Sequence, residues 1–255
     1  MPRPAAIALM GAGGRMGQAV EAMLARCDDL ILVFRADRAL KETSGPPRSG
    51  PDLISLAPGQ VEGIIDFSQP EGTVAASVAA SRLGCPLVSG TTGLDDDAFA
   101  ALRRAAQDVP VCWSPNFSVG IPFLDGALRE LARRLPRGWQ IEIAETHHAG
   151  KRDAPSGTAL RLAQTWRDER GGEIRYGRHG PSGPRGAAEV GIHALRLGDV
   201  VGEHRVLLGC SGETLEVVHR VQDRTAFASG SVEALRSLLR KGPGWYEWND
   251  LARGL

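Results

Sequence analysis

Ala6-Ile7-Ala8-Leu9-Met10-Gly11-Ala12-Gly13-Gly14-Arg15-Met16-Gly17 is the stretch on which the fold turns. An apolar run, Ala6–Met10, leads straight into a glycine cluster. The cluster leads into Arg15–Arg26, where Met16, Ala19, Val20, Met23 and Leu24 recur at helical spacing. A strand apolar at every position is buried on both faces, as in a parallel sheet covered by helices. Glycines between such a strand and a helix let the backbone approach a pyrophosphate, whose charge rests at the helix N-terminus. The spacing is not a strict G-x-G-x-x-G, because Met16 stands at the third glycine position. It reads as G-x-x-G-x-x-G over Gly11, Gly14 and Gly17. The competing reading is an ordinary glycine-rich turn. Asp37 follows the next apolar run, 20 residues beyond Gly17. A carboxylate there can accept from a ribose 2′-hydroxyl, and Arg38 beside it can pair with a 2′-phosphate, with Arg15 and Arg35 as further cations in reach. A solvated loop pair is the alternative for Asp37 and Arg38.

Further along, the first half repeats the pattern. Leu30–Phe34, Gly63–Phe67, Pro86–Ser89 and Val109–Trp113 read as strands, and Thr73–Leu83 and Asp95–Gln107 as helices. This alternation predicts an α/β, Rossmann-like doubly wound parallel sheet. Arg38–Gln60 is polar, carries Pro46-Pro47 and several glycines, and reads as irregular surface chain. Three segments fall where later strands end: Phe67-Ser68-Gln69-Pro70, Gly90-Thr91-Thr92-Gly93 and Ser114-Pro115-Asn116-Phe117-Ser118. Ligands of doubly wound sheets bind outside the carboxyl ends of the strands, and small hydroxyl and amide residues there can reach a nicotinamide or ribose without crowding it.

The second half has another texture. Trp139–Thr146 alternates as a strand and Ser156–Arg170 forms a helix. Val190–Arg196, His204–Gly209 and Leu215–Val221 are strand-like runs separated by short glycine-bearing turns. One helix and a meander of strands predict an α+β domain with an open mixed sheet. With one long helix to cover it, the sheet from Val190 to Val221 has an apolar face that a second subunit must bury. Gly171–Gly186, rich in Gly, Arg and Pro, reads as a mobile loop, and Val232–Leu239 as a last apolar helix.

The chemistry is concentrated in Glu145-Thr-His147-His148-Ala-Gly-Lys151-Arg-Asp153-Ala-Pro-Ser156-Gly157-Thr158-Ala-Leu160. Two imidazoles and an ammonium fall within five residues, next to a helix start. An ammonium can protonate a carbanion and is readily tuned by its surroundings. Ser156 is placed as an N-cap, so the Gly157 and Thr158 amides can bind a carboxylate, and Gly157 allows close approach. A metal site is not expected, since H-E-x-x-H is absent and no carboxylate or cysteine stands at a familiar ligand spacing. Two structural histidines are the remaining alternative.

Composition sets the outer limits. Lys+Arg and Asp+Glu are 30 each, so no basic stripe points to nucleic acid or a membrane surface. No window is apolar enough for a membrane span, and the early apolar run is too short for a signal peptide. Cys27, Cys85, Cys112 and Cys210 are scattered, as expected of reduced, mostly buried thiols in a cytoplasmic protein. The 32 glycines suggest tight turns and close backbone approaches to a ligand.

These motifs, taken together, resemble the 4-hydroxy-tetrahydrodipicolinate reductase (dihydrodipicolinate reductase) family of the diaminopimelate route to lysine. The likeness runs from about Ile7 to Leu251. It rests on Gly11–Gly17, Asp66–Pro70, Gly90–Gly93, Asn116–Gly120, Glu145–Ala159, Gly198–His204 and the Arg224–Gly230 region. The resemblance implies a dinucleotide-binding domain of residues 1–116 and 225–255, with residues 117–224 as a substrate-binding domain whose open sheet builds a homotetramer. It implies hydride transfer from NADH or NADPH to a cyclic unsaturated dicarboxylate, with His147 as acid/base and Lys151 as proton donor. His148, Lys151, Ser156, Gly157 and Thr158 would bind the substrate. Gly11, Gly14, Arg15, Met16, Gly17, Asp37, Arg38, Phe67, Ser68, Gly90, Thr91, Thr92, Ser114, Pro115, Asn116 and Phe117 would line the cofactor site. Two other readings stay open. One is a dehydrogenase of a sugar, polyol or amino acid on the same plan, which would want a Lys-Pro type catalytic motif, although Lys occurs only at positions 41, 151 and 241. The other is a non-catalytic nucleotide sensor, which leaves the Lys151 cluster without a purpose.

Overall fold

A computed structural model describes residues 3–255. In chain order the elements are β1 (Ala5–Met10), α1 (Arg15–Leu24), β2 (Leu30–Ala36), β3 (Arg48–Gly50), β4 (Gly63–Asp66), α2 (Pro70–Leu83), β5 (Leu87–Ser89), α3 (Asp96–Asp108) and β6 (Pro110–Trp113). Then come α4 (Gly120–Arg134), β7 (Gln140–His147), α5 (Gly157–Arg170), β8 (Glu173–Tyr176), β9 (Glu189–Arg196), β10 (Gly202–Cys210) and β11 (Glu213–Val221). The chain ends with α6 (Thr225–Leu238), β12 (Gly244–Tyr246) and α7 (Trp248–Ala252). Two compact units result. One runs up to Val119 and resumes at Arg224–Leu255, and the other is Gly120–Asp223.

The first unit is built on a seven-stranded sheet in the order β12-β6-β5-β4-β1-β2-β3, and every pairing in it is parallel. Alternate residues of β1 feed two cores. Ile7 and Leu9 pack with Val20 and Leu24 of α1 and Val232, Leu235 and Leu238 of α6. Ala8 and Met10 pack with Ala76, Ala79 and Ala80 of α2 and Leu102 and Ala105 of α3. Both faces of β1 are therefore covered, which is why that strand is apolar throughout. The strand order reverses between β1 and β4, so the loops after these two strands flank a switch point.

The second unit is a five-stranded mixed sheet in the order β11-β10-β7-β9-β8. β10 runs antiparallel to β7 and β11, while β9 runs parallel to β7 and β8. One face, with Ile141, Ile143, Val190, Ile192, Val206 and Leu208, is buried under α4 and α5. On α5 the contacts come from Ala159, Leu162, Ala163 and Trp166, spaced as one helical face demands. The other face carries Glu142, Leu195, Arg205, Leu207 and Val218, and its apolar members stay exposed, with Leu195 at 48%.

The structure corrects several expectations. Residues 38–60 are not wholly irregular. β3 adds an edge strand to β2, and Leu53 and Leu56 are buried. A three-residue strand of Arg48, Ser49 and Gly50 has no apolar period to announce it. The 171–186 segment is not simply a mobile loop. It contains β8, and Arg178 and Arg185 tie the rest to Glu142 and Glu189. The meander is also wrong, since β7 lies between β9 and β10, and only β10 and β11 form a hairpin. Most consequentially, α4 gives this unit a second long helix. Pro122 in its first turn, Gly126 in its middle and buried Asp125 within its apolar stripe disguise it. Thr165 Oγ donates to Asp125 and so satisfies it. α6 begins at Thr225, ahead of the expected Val232, and β12 and α7 were not foreseen.

Candidate active site

In the first unit the loops at the carboxyl ends of β1, β4 and β5 nest against one another. A Cβ at Gly11, where φ is +81°, would lie 2.3 Å from the Phe67 carbonyl oxygen. One at Gly17 would lie 2.2 Å from Gly11 O, and one at Gly90 would lie 2.0 Å from the Phe67 ring. Gly11 and Gly17 therefore serve the fold of the loop itself. Gly14 is different. It is the exposed N-cap of α1, and its nearest obstacle is Gly11 O at 3.3 Å. The helix N-terminus thus opens on a residue with no side chain, as an approaching anion requires. Asp37 closes the loop from β2. Its Oδ2 accepts from Gly13 N at 3.0 Å and its Oδ1 from Ala39 N at 3.0 Å.

Beneath these loops lies Asp66, the last residue of β4, with no exposed surface. Its Oδ2 accepts from Thr73 Oγ1 at 2.7 Å, Ser89 Oγ at 2.7 Å and Thr91 Oγ1 at 3.0 Å. Its Oδ1 accepts from Ser68 N at 3.1 Å and from Ser68 Oγ. One carboxylate thus gathers the end of β5, the loops after β4 and β5, and the start of α2. Trp113 Nε1 donates to Thr91 O at 2.9 Å and ties in the end of β6.

Not every residue predicted to line this site faces outward. Phe117 is buried against Phe67 and Trp248, so it supports the loop from below. Thr91 is buried with its hydroxyl on Asp66, while Thr92 is exposed. Met16 packs into the core beside α6. Arg15 is exposed, as are Pro115 and Arg38, and Arg38 Nη2 is 3.7 Å from Glu71. Arg35 turns the other way and pairs with Glu21 of α1 at 3.4 Å, which removes it as a rival phosphate reader. Ser114 Oγ and Asn116 knit their own turn, with Ser114 Oγ donating to Asn116 O at 2.7 Å.

In the second unit the site grows out of strand register. Ile141, Ile143, Glu145 and His147 lie on one face of β7. β10 places His204 opposite Glu145, and β9 places Arg196 opposite His147. All four polar residues therefore share the helix-covered face at one end of the sheet. Glu145 has no exposed surface. Its Oε2 accepts from His147 Nδ1 at 2.5 Å and Arg196 Nη1 at 3.0 Å, and its Oε1 from Arg196 Nη2 at 3.0 Å and Ser156 N at 3.0 Å. Burial alone would raise its pKa, but Arg196, His147 and the Ser156 amide together hold it below the usual carboxylate range. His147 is pushed down by burial, with the Glu145 hydrogen bond pulling the other way, so its imidazole is neutral at pH 7. Its Nε2 faces Gly202, where a Cβ would stand 3.2 Å away.

Lys151 Nζ is 2.8 Å from Asp153 Oδ1, and Arg196 Nη2 donates to Asp153 O at 2.6 Å. Ser156 caps α5 as expected, its Oγ accepting from Ala159 N at 3.2 Å. The same hydroxyl meets His204 Nε2 at 3.2 Å, so Ser156 is spent on internal bonds and is buried. Gly157, the first residue of α5, is exposed, and a Cβ there would meet nothing within 4 Å. Thr158 follows it in the same turn, and His148 lies close to Gly150. Burial and the charges of His147 and His219 press the His204 pKa down to about 3, which leaves it neutral.

Several residues of this machinery escaped the sequence reading. Glu145 could have been found, because the β7 alternation turns from isoleucine to Glu145 and His147 without changing face. Arg196 and Ser89 carry no such signal, and Asp66 and His204 lie within the Asp66–Pro70 and Gly198–His204 motifs without their roles being marked there, since register and loop nesting bring all four in. Among the described residues no group of three or more His, Cys, Asp or Glu is placed to hold a metal ion. No helix among them is long and apolar enough to cross a membrane. The four cysteines are free, with Cys85 and Cys112 buried and Cys27 and Cys210 half-buried.

Two family models match the chain. The model described as dihydrodipicolinate reductase, N-terminus, covers residues 5–117, and that described as dihydrodipicolinate reductase, C-terminus, covers residues 120–251. The 4-hydroxy-tetrahydrodipicolinate reductase of Thermomicrobium roseum is 46% identical over 254 residues, spanning 96% of this chain and 98% of its own. That of Rubrobacter xylanophilus is 40% identical over 257 residues, spanning 96% and 97%. Among solved structures, the dipicolinate-bound dihydrodipicolinate reductase from Paenisporosarcina sp. TG-14 has the same fold. Its TM-score is 0.76 at 20% identity, covering 96% of this chain and 97% of that one.

Proposed function

The chain belongs to the dihydrodipicolinate reductase family, and from that premise we propose that it reduces 4-hydroxy-tetrahydrodipicolinate to tetrahydrodipicolinate. When bound, NADH or NADPH supplies the hydride. The glycine-lined start of α1, with Asp37 beside it, fits a dinucleotide, and residues 1–116 and 225–255 form its domain. Gly11, Gly17 and Met16 within that domain, and Phe117 just past its first boundary, shape the loops. Gly14, Arg15, Asp37, Arg38, Ser68, Gly90, Thr92, Pro115 and Asn116 are the positions for direct contact.

The observation that carries this reading is the Glu145–His147–Lys151 cluster beside the N-terminus of α5. Hydride arrival at one end of a conjugated imine displaces an electron pair toward the other, where a proton must be delivered. Lys151, held by Asp153, is the proton donor for that delivery, and His147, oriented by Glu145, is the acid/base group beside it, able to give a proton only after its Nε2 has taken one up. The first turn of α5, at Gly157 and Thr158, takes one substrate carboxylate, and His148 with Lys151 takes the other. Ser156 acts by capping that turn. In solution the exposed face of the second sheet is covered by further copies of the chain, giving a homotetramer that works in the cytoplasm. The second helix, α4, does not remove this need, because it lies on the face already covered.

The test is an assay with enzymatically generated substrate. Loss of nicotinamide absorbance only when that substrate is present is the expected result. Cofactor binding without turnover would favour a nucleotide sensor instead. Pyridine-2,6-dicarboxylate should inhibit far better than picolinate, and equal inhibition would mean that only one carboxylate is held. A monomeric mass at micromolar concentration would refute the tetramer.

A further inference from the structure

We propose that Glu145 and Arg196 form a positioning pair, which dictates the nitrogen His147 offers to the substrate and holds the Lys151 loop in the same frame. The proposal rests on the reading of Lys151 as the proton donor and His147 as the acid/base group beside it. Neither Glu145 nor Arg196 is required to touch the substrate.

The geometry is closed on the carboxylate side. Each Glu145 oxygen accepts two donors, so no position on it is left for a ligand. The His147 Nδ1 proton is committed to Oε2, so Nε2 is the nitrogen left for chemistry. Nε2 is also the atom that faces Gly202, where a side chain would crowd it. A second line of bonds runs the other way. Arg196 Nη2 donates both to Glu145 and to the Asp153 carbonyl, and the Asp153 side chain holds Lys151 Nζ. A third reaches the helix, since Glu145 Oε1 accepts from Ser156 N at the cap of α5. One buried pair thus fixes the imidazole, the ammonium loop and the anion-binding helix start relative to one another.

The pair has the chemistry for this task. A planar guanidinium spans both carboxylate oxygens with two parallel N–H bonds, and its fork still reaches the Asp153 carbonyl, which a lysine ammonium cannot reproduce. Glutamine at position 145 would turn an amide NH2 toward two donors, releasing either His147 or the Ser156 amide. The charged and titratable groups around His147 come from every neighbouring strand and loop. They are Glu145 on β7, Arg196 on β9, His204 on β10 with His219 behind it on β11, and Lys151 and Asp153 on the loop.

Ring nitrogen NMR of His147 in the wild-type protein, with no substrate present, tests the first link. The expected state above pH 7 is neutral with the proton on Nδ1, and a predominant Nε2–H tautomer would overturn the proposal. Glu145→Gln should cut kcat by about 100-fold, within the range for losing an oriented acid/base group. It should also move His147 ionisation to lower pH, because the carboxylate that favours the imidazolium is gone. Cofactor affinity should stay within twofold, and Glu145→Asp should recover part of kcat. Arg196→Lys should lower kcat at least tenfold and weaken dicarboxylate inhibition. Unchanged His147 ionisation together with near-wild-type kcat in Glu145→Gln would sink the idea. Should the wild type fail to oxidise nicotinamide with substrate while His147 carries its proton on Nδ1, the proposed reaction falls and the positioning pair stands.

Discussion

Each unit of this chain buries one carboxylate completely at the mouth of its site, and the two are satisfied in opposite ways. Asp66 in the first unit accepts from hydroxyls and one backbone amide, all neutral. Glu145 in the second accepts from a guanidinium, an imidazole and one backbone amide. The difference matches what each must hold. Asp66 meets only hydroxyls and a backbone amide, so its part is to gather the loops at the strand ends. Around Glu145 the surface is made of titratable groups, so the carboxylate must fix their protons as well as their positions. Only the Glu145 set includes a charged donor, Arg196, and only there does the carboxylate fix the proton of a neighbouring titratable ring, His147.

Four sets of substitutions break or sharpen that contrast. The largest effect falls on the acid side. His147→Ala and Lys151→Ala should each lower kcat by about 10²–10⁴-fold, with cofactor dissociation constants little changed. Steady-state kinetics checks this, and near-wild-type turnover in both would remove them from proton delivery. Next, Asp66→Asn should turn an NH2 toward hydroxyl donors. It should cost about 1–3 kcal/mol in urea unfolding, the cost of an unsatisfied buried group, and raise the cofactor KM while kcat at saturation holds.

The third change uses pH. A histidine pKa lowered from 6.5 to about 3 means that the unfolded chain takes up a proton the folded chain refuses. The His204 contribution is therefore complete above pH 6.5 and is lost as the pH falls toward 3. The expected slope is about 1.4 kcal/mol per pH unit within that window. His204→Asn should flatten it in denaturation series, and an unchanged slope would assign the acid sensitivity elsewhere. The smallest effect belongs to Arg38. It is 74% exposed and pairs loosely with Glu71, an arrangement worth about 0–1 kcal/mol. Arg38→Ala should weaken NADPH more than NADH by less than about tenfold, and Asp37→Ala should do the reverse. Equal effects on both cofactors would deny Arg38 the 2′-phosphate.

The two regions were also unequally legible in the sequence. In the first unit, burial on both sheet faces writes itself into β1, β4, β5 and β6 as apolar runs, broken only by Asp66 and Ser89 at the ends of β4 and β5, and the glycine loop declares its place between strand and helix. What stayed hidden there was short or polar. β3 is three residues with no period, and the Asp66 hub exists only because separate loops converge on it. In the second unit, local chemistry was readable and its assembly was not. Ser156 announced the α5 cap, and His147 and Lys151 announced the acid cluster. Arg196 and His204 lie 49 and 57 residues beyond His147 in sequence. They reach it only through the central position of β7, which the meander expectation missed. α4 went unread because its stripe is interrupted by Asp125, which Thr165 satisfies from another helix.

The division of labour between the units is the central claim, and two glycines test it side by side. Gly14 and Gly157 each stand at the start of a helix, one per unit. A methyl group would meet only Gly11 O at 3.3 Å in one case and nothing within 4 Å in the other. Gly157→Ala therefore acts on an incoming ligand alone, whereas Gly14→Ala also asks the Gly11 carbonyl to give by a few tenths of an ångström, so its urea-unfolding midpoint is measured alongside to separate the two effects. The measurement is calorimetric titration of Gly14→Ala and Gly157→Ala, first with NADPH and then, at saturating NADPH, with pyridine-2,6-dicarboxylate. Gly14→Ala should weaken NADPH about tenfold or more, a loss on the order of 1.4 kcal/mol, and leave the dicarboxylate unaffected once NADPH is saturating. Gly157→Ala should weaken the dicarboxylate by a similar factor and leave NADPH unchanged. Loss of NADPH affinity in Gly157→Ala as large as in Gly14→Ala would contradict the account.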